Sequence, residues 1–334
     1  MQDRSNEAEN SLEYFVLDVF TETRLKGNPL AVVMNPGTLS TETMQAIARE
    51  TNLSETTFVE RRDADTEQRE GVRVRIFTTQ EELPFAGHPT LGTASLLKAI
   101  APECVAENTV TLALNVGKVP VRFEAAAADD AAWPVRGEMT QRDPEFGEVL
   151  EASEVAALTG LRVEDFDPAR PIQVVSTGNA FAIVPLRSAA SLARLSVRQE
   201  EANTYLKAHG ARWFYVLGPS DAADDLAIAG AHPAMPVWRA RMQFNGGEDP
   251  ATGSAAGCAI SHLVGHSAVA SNQTILVRQG VEIGRPSELY LSAAFHASES
   301  IPTSGSAQQI SGKVRDVRVG GSTILVAKGR LFLP

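Results

Sequence analysis

Arg73-Val74-Arg75-Ile76-Phe77, Thr78-Thr79-Gln80-Glu81-Glu82 and Pro84-Phe85-Ala86-Gly87-His88-Pro89-Thr90-Leu91-Gly92-Thr93-Ala94 form the first of two stretches that decide the fold. The second runs Arg239-Ala240-Arg241-Met242-Gln243-Phe244, Asn245-Gly246-Gly247-Glu248-Asp249-Pro250, Ala251-Thr252-Gly253-Ser254-Ala255-Ala256-Gly257. Each reads as a strand with arginines on one side, an acidic loop with Pro, and a Gly- and Ser/Thr-rich start to an apolar helix. A helix N-terminus presents N–H groups without intrahelical partners and favours anions. The same device built twice points to two matching halves and to a small carboxylate held between two helix ends. The arginines could add a locally positive pocket. The alternative, two unrelated α+β domains whose glycine loops match by chance, leaves the shared order of features unexplained.

Working outward, Leu91–Leu97 and Ala255–Leu263 are apolar or small on nearly every face, so both helices are expected to be buried all round. Strand-like runs dominate the rest, and a buried helix wrapped by antiparallel strands, once per half, is the architecture implied. Tyr14–Phe20 and Leu30–Met34 read as strands joined through a turn at Gly27-Asn28-Pro29. Ser40 precedes a helix that stops near Asn52. The charged stretch from Glu60 to Glu70 has no apolar period and reads as a loop or hairpin end. Gly147–Thr159 and Ser191–Gly210 read as helices. Val314–Leu333 alternates in period two through an expected turn at Gly320-Gly321. The shift to small and acidic residues at Ala125–Ala132 marks the expected domain boundary. The division is a tail at 1–11, an N-terminal domain at 12–127 completed by the last strand 325–334, and a C-terminal domain at 128–324.

The 334 residues carry a net charge of −11, with 43% hydrophobic and 21% charged residues. That balance fits an ordinary soluble protein and argues against nucleic-acid or anionic-membrane partners, which need a basic face. No apolar run reaches the ~20 residues of a membrane span, and the polar N-terminus has no signal core; the expectation is a cytoplasmic protein. Cys104 and Cys258 form no disulfide framework or zinc pattern, and Cys258 reads as a small buried hydrophobe. His262 and His266, four apart, have no acidic third ligand nearby, so no metal site is expected. The spacing of Gly247 and Gly253 is not a P-loop, and GxGxxG and GxSxG are absent, so neither dinucleotide binding nor a serine nucleophile elbow is supported.

Glu55, in Asn52-Leu53-Ser54-Glu55-Thr56-Thr57-Phe58, is the candidate acid/base, its apolar neighbours expected to raise its pKa. A lone Glu in such a setting is more often a cap or surface residue. His88 could donate to a substrate or exchange a proton, or simply cap its own helix. Asp249 and Ser254 hold matching places in the second stretch, where the plain reading is an N-cap. Backbone N–H groups at Gly87-His88 and at Thr252-Gly253-Ser254 are the candidate carboxylate ligands.

Taken together, the chain resembles the PhzF-like family of the diaminopimelate-epimerase-like superfamily. The resemblance rests on Asp18-Val19-Phe20 with Gly27-Asn28-Pro29, Ser54-Glu55-Thr56-Thr57-Phe58, Gly87-His88-Pro89, Glu248-Asp249-Pro250-Ala251-Thr252-Gly253-Ser254, and Gln279-Gly280 with Gly284-Arg285-Pro286. It implies an α+β fold of two pseudo-symmetric domains, each a β-barrel around a central buried helix, with the active site in the cleft between them. It further implies a cofactor-independent homodimer that isomerises a small carboxylate of the trans-2,3-dihydro-3-hydroxyanthranilate kind. Glu55 would be its acid/base, with His88, Asp249 and Ser254 in support. The two-thiol racemases of the superfamily place cysteines at the helix starts, which this chain does not. The other reading is a binding scaffold that keeps the fold without turnover.

Overall fold

The computed structural model describes residues 11–124, 132–228, 235–244, 246–297 and 312–333. The expected boundary segment at Ala125–Ala132 lies, apart from Ala132, outside the described residues, as does the expected tail up to residue 10.

The chain divides into two compact units, Met1–Met139 with Gly320–Pro334, and Thr140–Val319. The first contains β1 (Ser11–Val19), β2 (Asn28–Met34), α1 (Thr41–Thr51), β3 (Glu55–Glu60), α2 (Ala64–Glu70), β4 (Val72–Phe77), β5 (Glu82–Leu83), α3 (Gly87–Ile100), β6 (Thr109–Leu114), β7 (Gly117–Phe123) and β8 (Val135–Thr140). The second opens with β9 (Glu145–Val149), α4 (Ala152–Thr159), β10 (Gln173–Ser176), β11 (Ala180–Pro185), α5 (Gln199–Ala208), β12 (Trp213–Pro219) and α6 (Ala223–Ile228). It continues with β13 (Val237–Arg241), β14 (Gln243–Phe244), β15 (Gly247–Glu248), α7 (Gly253–Gly265), β16 (Ile275–Gln279) and β17 (Ser287–Ala297). The last strand, β18 (Gly312–Phe332), begins in the second unit and ends in the first.

In the first unit the strand order is β1-β2-β3-β4-β6-β7-β8-β18, and β18 returns to pair antiparallel with β1 (Ser11 opposite Phe332, Leu17 opposite Leu325), closing an eight-stranded barrel. Alternation decides which side chains point inward. Thr109–Leu114 buries every second residue and Val72–Phe77 does so until its buried end, the period of a sheet with one face on a core. α3 fills the barrel, with Gly87 through Leu97 all buried against β1, β2, β3, β6 and β7. In the second unit the order is β18-β17-β16-β13-β12-β11-β10-β9, and α7 packs on β17 as well as on β10 and β11, so the sheet wraps it. Residues 253–264 of α7 are all buried. The fold is thus the expected α+β arrangement, a central buried helix inside strands in each unit.

Four local expectations are corrected. The charged stretch contains α2, whose N-cap Asp63 accepts from the Thr66 N–H at 2.9 Å. Arg61–Glu67 and Arg62–Glu70 ion pairs stand beside this helix. With no buried residue it has no apolar period to read. No turn forms at Gly320-Gly321: β18 continues through both, and glycine suits position 320 because a side chain there would stand 3.0 Å from the Gly137 carbonyl of β8. Gly147 lies in β9, and the helix begins only at Ala152. The Ser191–Gly210 segment is a 3-10 helix (Ala189–Arg194) and α5, separated by a non-helical stretch. Ser40 does cap α1, accepting from Thr43 N–H, and Asn52 ends it in the left-handed region. Among the described residues no helix is long and apolar enough to cross a membrane.

Candidate active site

Glu55 is the first residue of β3, and His88 is the second residue of α3. The structure brings them together: Oε2 of Glu55 is 3.3 Å from Nε2 of His88, with both side chains largely buried. On the other side of the ring, Asn28 Nδ2 lies 3.3 Å from His88 Nδ1, and Ser54 Oγ donates to Asn28 Oδ1 at 3.5 Å. Asn28 is fully buried at the start of β2. Gly27 makes that placement possible, with φ of 67° and its α-carbon so close to the Val19 carbonyl that a Cβ would stand 2.4 Å away. Only glycine fits such a turn. Burial pushes the His88 pKa down to about 3, and the Pro29 carbonyl opposes this only in part. The ring is therefore neutral at pH 7. The Asn28 amide lies on the Nδ1 side of the ring and the Glu55 carboxyl on the Nε2 side. Asn28 belongs to the Gly27-Asn28-Pro29 motif, and its place beside His88 arises only from the packing of β2 against α3.

No side chain caps α3, whose N-cap is Ala86. His88 therefore does not serve as the cap of its own helix. Gly87, at the first helical position, is buried.

In the second unit α7 likewise begins without a side-chain cap, at Thr252. Ser254 and Gly253 lie inside the first turn, so the plain N-cap reading of Ser254 and of Asp249 does not hold. Instead the Thr252 hydroxyl donates to Asp249 Oδ2 at 2.6 Å. Gln279, at the end of β16, donates from Nε2 to the Asp249 carbonyl at 2.8 Å and to Thr252 Oγ1 at 2.9 Å. Its Oε1 accepts from the Thr252 N–H at 3.1 Å and from the Tyr215 hydroxyl at 3.0 Å. Gln141 Nε2 donates to the Gly253 carbonyl at 2.8 Å. Asp249, Thr252, Gly253 and Ser254 thus sit on one rigidly held helix start. Gln279, Tyr215 and Gln141 lie far from the helix-start motif in sequence, and only packing brings them to it.

The arginines do not form the expected anion pocket. Arg75 pairs with Glu82 at 2.6 Å, and Arg241 pairs with Glu248 at 2.6 Å. Both pairs span seven residues, and each holds the strand to the loop that leads into a central helix. Arg73 is spent on the Ala113 carbonyl and Asn115, and Arg239 on Asp225 and Glu282. The repeated Arg-to-Glu spacing was present in both quoted stretches and was the signal for this role.

His262 Nε2 lies 2.8 Å from the Pro171 carbonyl and His266 Nε2 2.9 Å from Gln173 Oε1. Among the described residues no cluster of three or more His, Cys, Asp or Glu could hold a metal ion. Cys258 is fully buried, and burial pushes its pKa up to about 11; burial does the same to Cys104.

The phenazine biosynthesis-like family (PhzC-PhzF) matches residues 17–326. The trans-2,3-dihydro-3-hydroxyanthranilate isomerase of Pseudomonas aeruginosa is 35% identical over 323 residues, 96% of this chain and 99% of that one. A solved structure described as a predicted epimerase from the same organism is 31% identical, with a TM-score of 0.74 over 97% of this chain and 100% of that one. The PhzF-family protein of Bacillus anthracis, 22% identical with a TM-score of 0.77 over 97% and 99% of the two chains, shares the fold. With the family matched along nearly its whole length, this chain belongs to the PhzF-like family of isomerases.

Proposed function

We propose that the protein is a cofactor-independent isomerase that shifts a proton within a small carboxylate of the trans-2,3-dihydro-3-hydroxyanthranilate type. The observation that carries this reading is the contact between Glu55 and a neutral His88 at the start of a buried, uncapped helix. Glu55 takes a proton from one substrate carbon and returns it to another, so the reaction needs no external oxidant or second substrate. His88 stands beside Glu55 as a neutral hydrogen-bonding group for charge that develops on the substrate. Asp249 and Ser254 hydrogen-bond the substrate, and the backbone N–H groups at Gly87-His88 and at Gly253-Ser254 receive its carboxylate; the Thr252 N–H, which donates to Gln279 Oε1, is not among them. Thiol bases are a poor alternative, because both cysteines are held protonated at neutral pH. A homodimer in the cytoplasm belongs to the same proposal.

The test is proton exchange at carbon. The protein is incubated in D₂O with trans-2,3-dihydro-3-hydroxyanthranilate and a panel of related carboxylates, and deuterium at carbon is followed by NMR. General acid–base catalysis contributes roughly 10²–10⁴-fold, so Glu55→Gln loses at least that while keeping its fold. No exchange with any substrate, or full exchange by Glu55→Gln, refutes the reading.

A further inference from the structure

The amide of Gln279 has two N–H donors and two acceptor lone pairs, and all four are used on fully or partly buried partners. Its orientation is fixed by backbone groups that have only one role each. The Thr252 N–H can only donate, so Oε1 faces it; the Asp249 carbonyl can only accept, so Nε2 faces that side. The second Nε2 hydrogen then points to Thr252 Oγ1. A hydroxyl that already accepts there turns its own proton elsewhere, and its nearest acceptor is Asp249 Oδ2, 2.6 Å away. That short distance is typical of a hydroxyl bound to a carboxylate. The relay therefore runs one way, from the glutamine through the threonine to the aspartate. Gln279 and Tyr215 are both fully buried, so no solvent competes for these groups. Next in the chain, Gly280 sits at φ of 73° with its α-carbon pressed against the Pro250 and Arg285 carbonyls, which anchors the same loop from behind.

We infer that Gln279 is a positioning residue for the reaction: through the Thr252 hydroxyl it holds Asp249 in one orientation, with Oδ2 kept as a hydrogen-bond acceptor. This inference rests on the proposed role of Asp249. It gives the threonine side chain a task separate from that of its backbone N–H, and it extends the functional set to a strand that the helix-start motif does not include.

The experiment uses the full chain and three variants, Thr252→Val, Thr252→Ser and Gln279→Glu. Valine matches threonine in shape and lacks the donor; serine keeps the donor and loses the methyl group; glutamate removes both Nε2 donors. Two measurements are made on each, turnover of trans-2,3-dihydro-3-hydroxyanthranilate and the ¹³C shift of the Asp249 side-chain carboxyl, assigned with Asp249→Asn. Thermal melts identify any variant that fails to fold. The expected result for Thr252→Val is a kcat lower by roughly 10- to 100-fold, the worth of one hydrogen bond to a charged group. KM changes little, and Thr252→Ser recovers most of the loss. Gln279→Glu falls at least as far as Thr252→Val. In the spectra the Asp249 carboxyl moves in the valine and glutamate variants and stays near its wild-type position in the serine variant. Wild-type kcat in Thr252→Val, or an Asp249 signal unmoved in all three, overturns the inference. If the wild-type protein turns over no carboxylate, the proposed function fails, and the carboxyl shift still decides whether the relay exists.

Discussion

Oε2 of Glu55 and Nε2 of His88 face each other at 3.3 Å, and at neutral pH this is a contact between a carboxyl group and an uncharged imidazole. The distinction matters for mechanism. A protonated histidine would hold a carboxylate as an ion-pair partner and lower its basicity, whereas a neutral ring leaves that basicity unreduced. Burial is the cause, since His88 is 5% exposed inside the barrel.

The first prediction follows from that state. In ¹⁵N spectra the His88 ring remains neutral from pH 8 down to pH 5, because its pKa is pushed down to about 3. Asn28→Leu, which removes the amide beside Nδ1, lowers turnover by roughly tenfold or more, as expected for losing one hydrogen bond in a buried site. A ring that titrates near 6.5, the ordinary histidine value, would contradict the assignment.

Two glycines offer a matched comparison. Gly280 and Gly284 share φ of 73°, yet a Cβ on Gly280 would stand 2.5 Å from the Arg285 carbonyl and 2.7 Å from the Pro250 carbonyl, while Gly284 has nothing within 4 Å. Gly284→Ala should therefore cost only the left-handed backbone penalty, about 1–2 kcal/mol. Gly280→Ala adds backbone overlap, roughly 1–3 kcal/mol more, and disturbs the Asp249-Pro250 loop. Urea unfolding of both variants checks this; equal losses would mean that the loop moves away at no cost.

The two Arg–Glu pairs should differ in the same kind of test. Side chains of Arg241 and Glu248 are 11% and 6% exposed, against 22% for both Arg75 and Glu82. A buried cation that loses its partner is strongly penalised, by roughly 3–5 kcal/mol, and a more solvated one less. Glu248→Gln is thus expected to destabilise clearly more than Glu82→Gln in denaturant titrations. The reverse order would show that burial is not what sets the strength of these pairs.

What could be read from the chain divides along physical lines. Helices with small or apolar residues on every face announced their own burial, and residues 91–97 and 255–263 are buried as expected. The Ser40 cap was legible because capping is a local interaction. α2 was not, since polar capping and ion pairs leave no periodic trace. The course of β18 was misread because Gly320-Gly321 has the composition of a turn, while close approach to β8 is a non-local demand. The same limit applies at the candidate site. Glu55, His88, Asp249 and Ser254 stand out by motif, but Asn28 and Gln279 act across 60 and 30 residues of sequence, a separation that only packing reveals.

The last prediction concerns acid stability and a histidine outside the candidate site. His262 is fully buried in α7, its Nε2 donating to the Pro171 carbonyl, while Nδ1 has no hydrogen-bond partner. Protonation would place a charged N–H there with no acceptor. Burial, with nearby His266 and Arg170 adding to it, pushes its pKa down to about 3, against 6.5 for an ordinary histidine. Below pH 6.5 the unfolded chain binds a proton here that the folded one refuses. The stability contribution is therefore complete above that pH and is lost as pH falls toward 3, at about 1.4 kcal/mol per pH unit for one such group. His88 adds a loss of the same sign. His262→Gln, which cannot titrate, should shed about one proton's worth of that slope in denaturant unfolding measured between pH 6 and pH 4. Identical slopes in variant and wild type would mean that His262 takes up its proton in the folded state, and that the interior around α7 opens to water in acid.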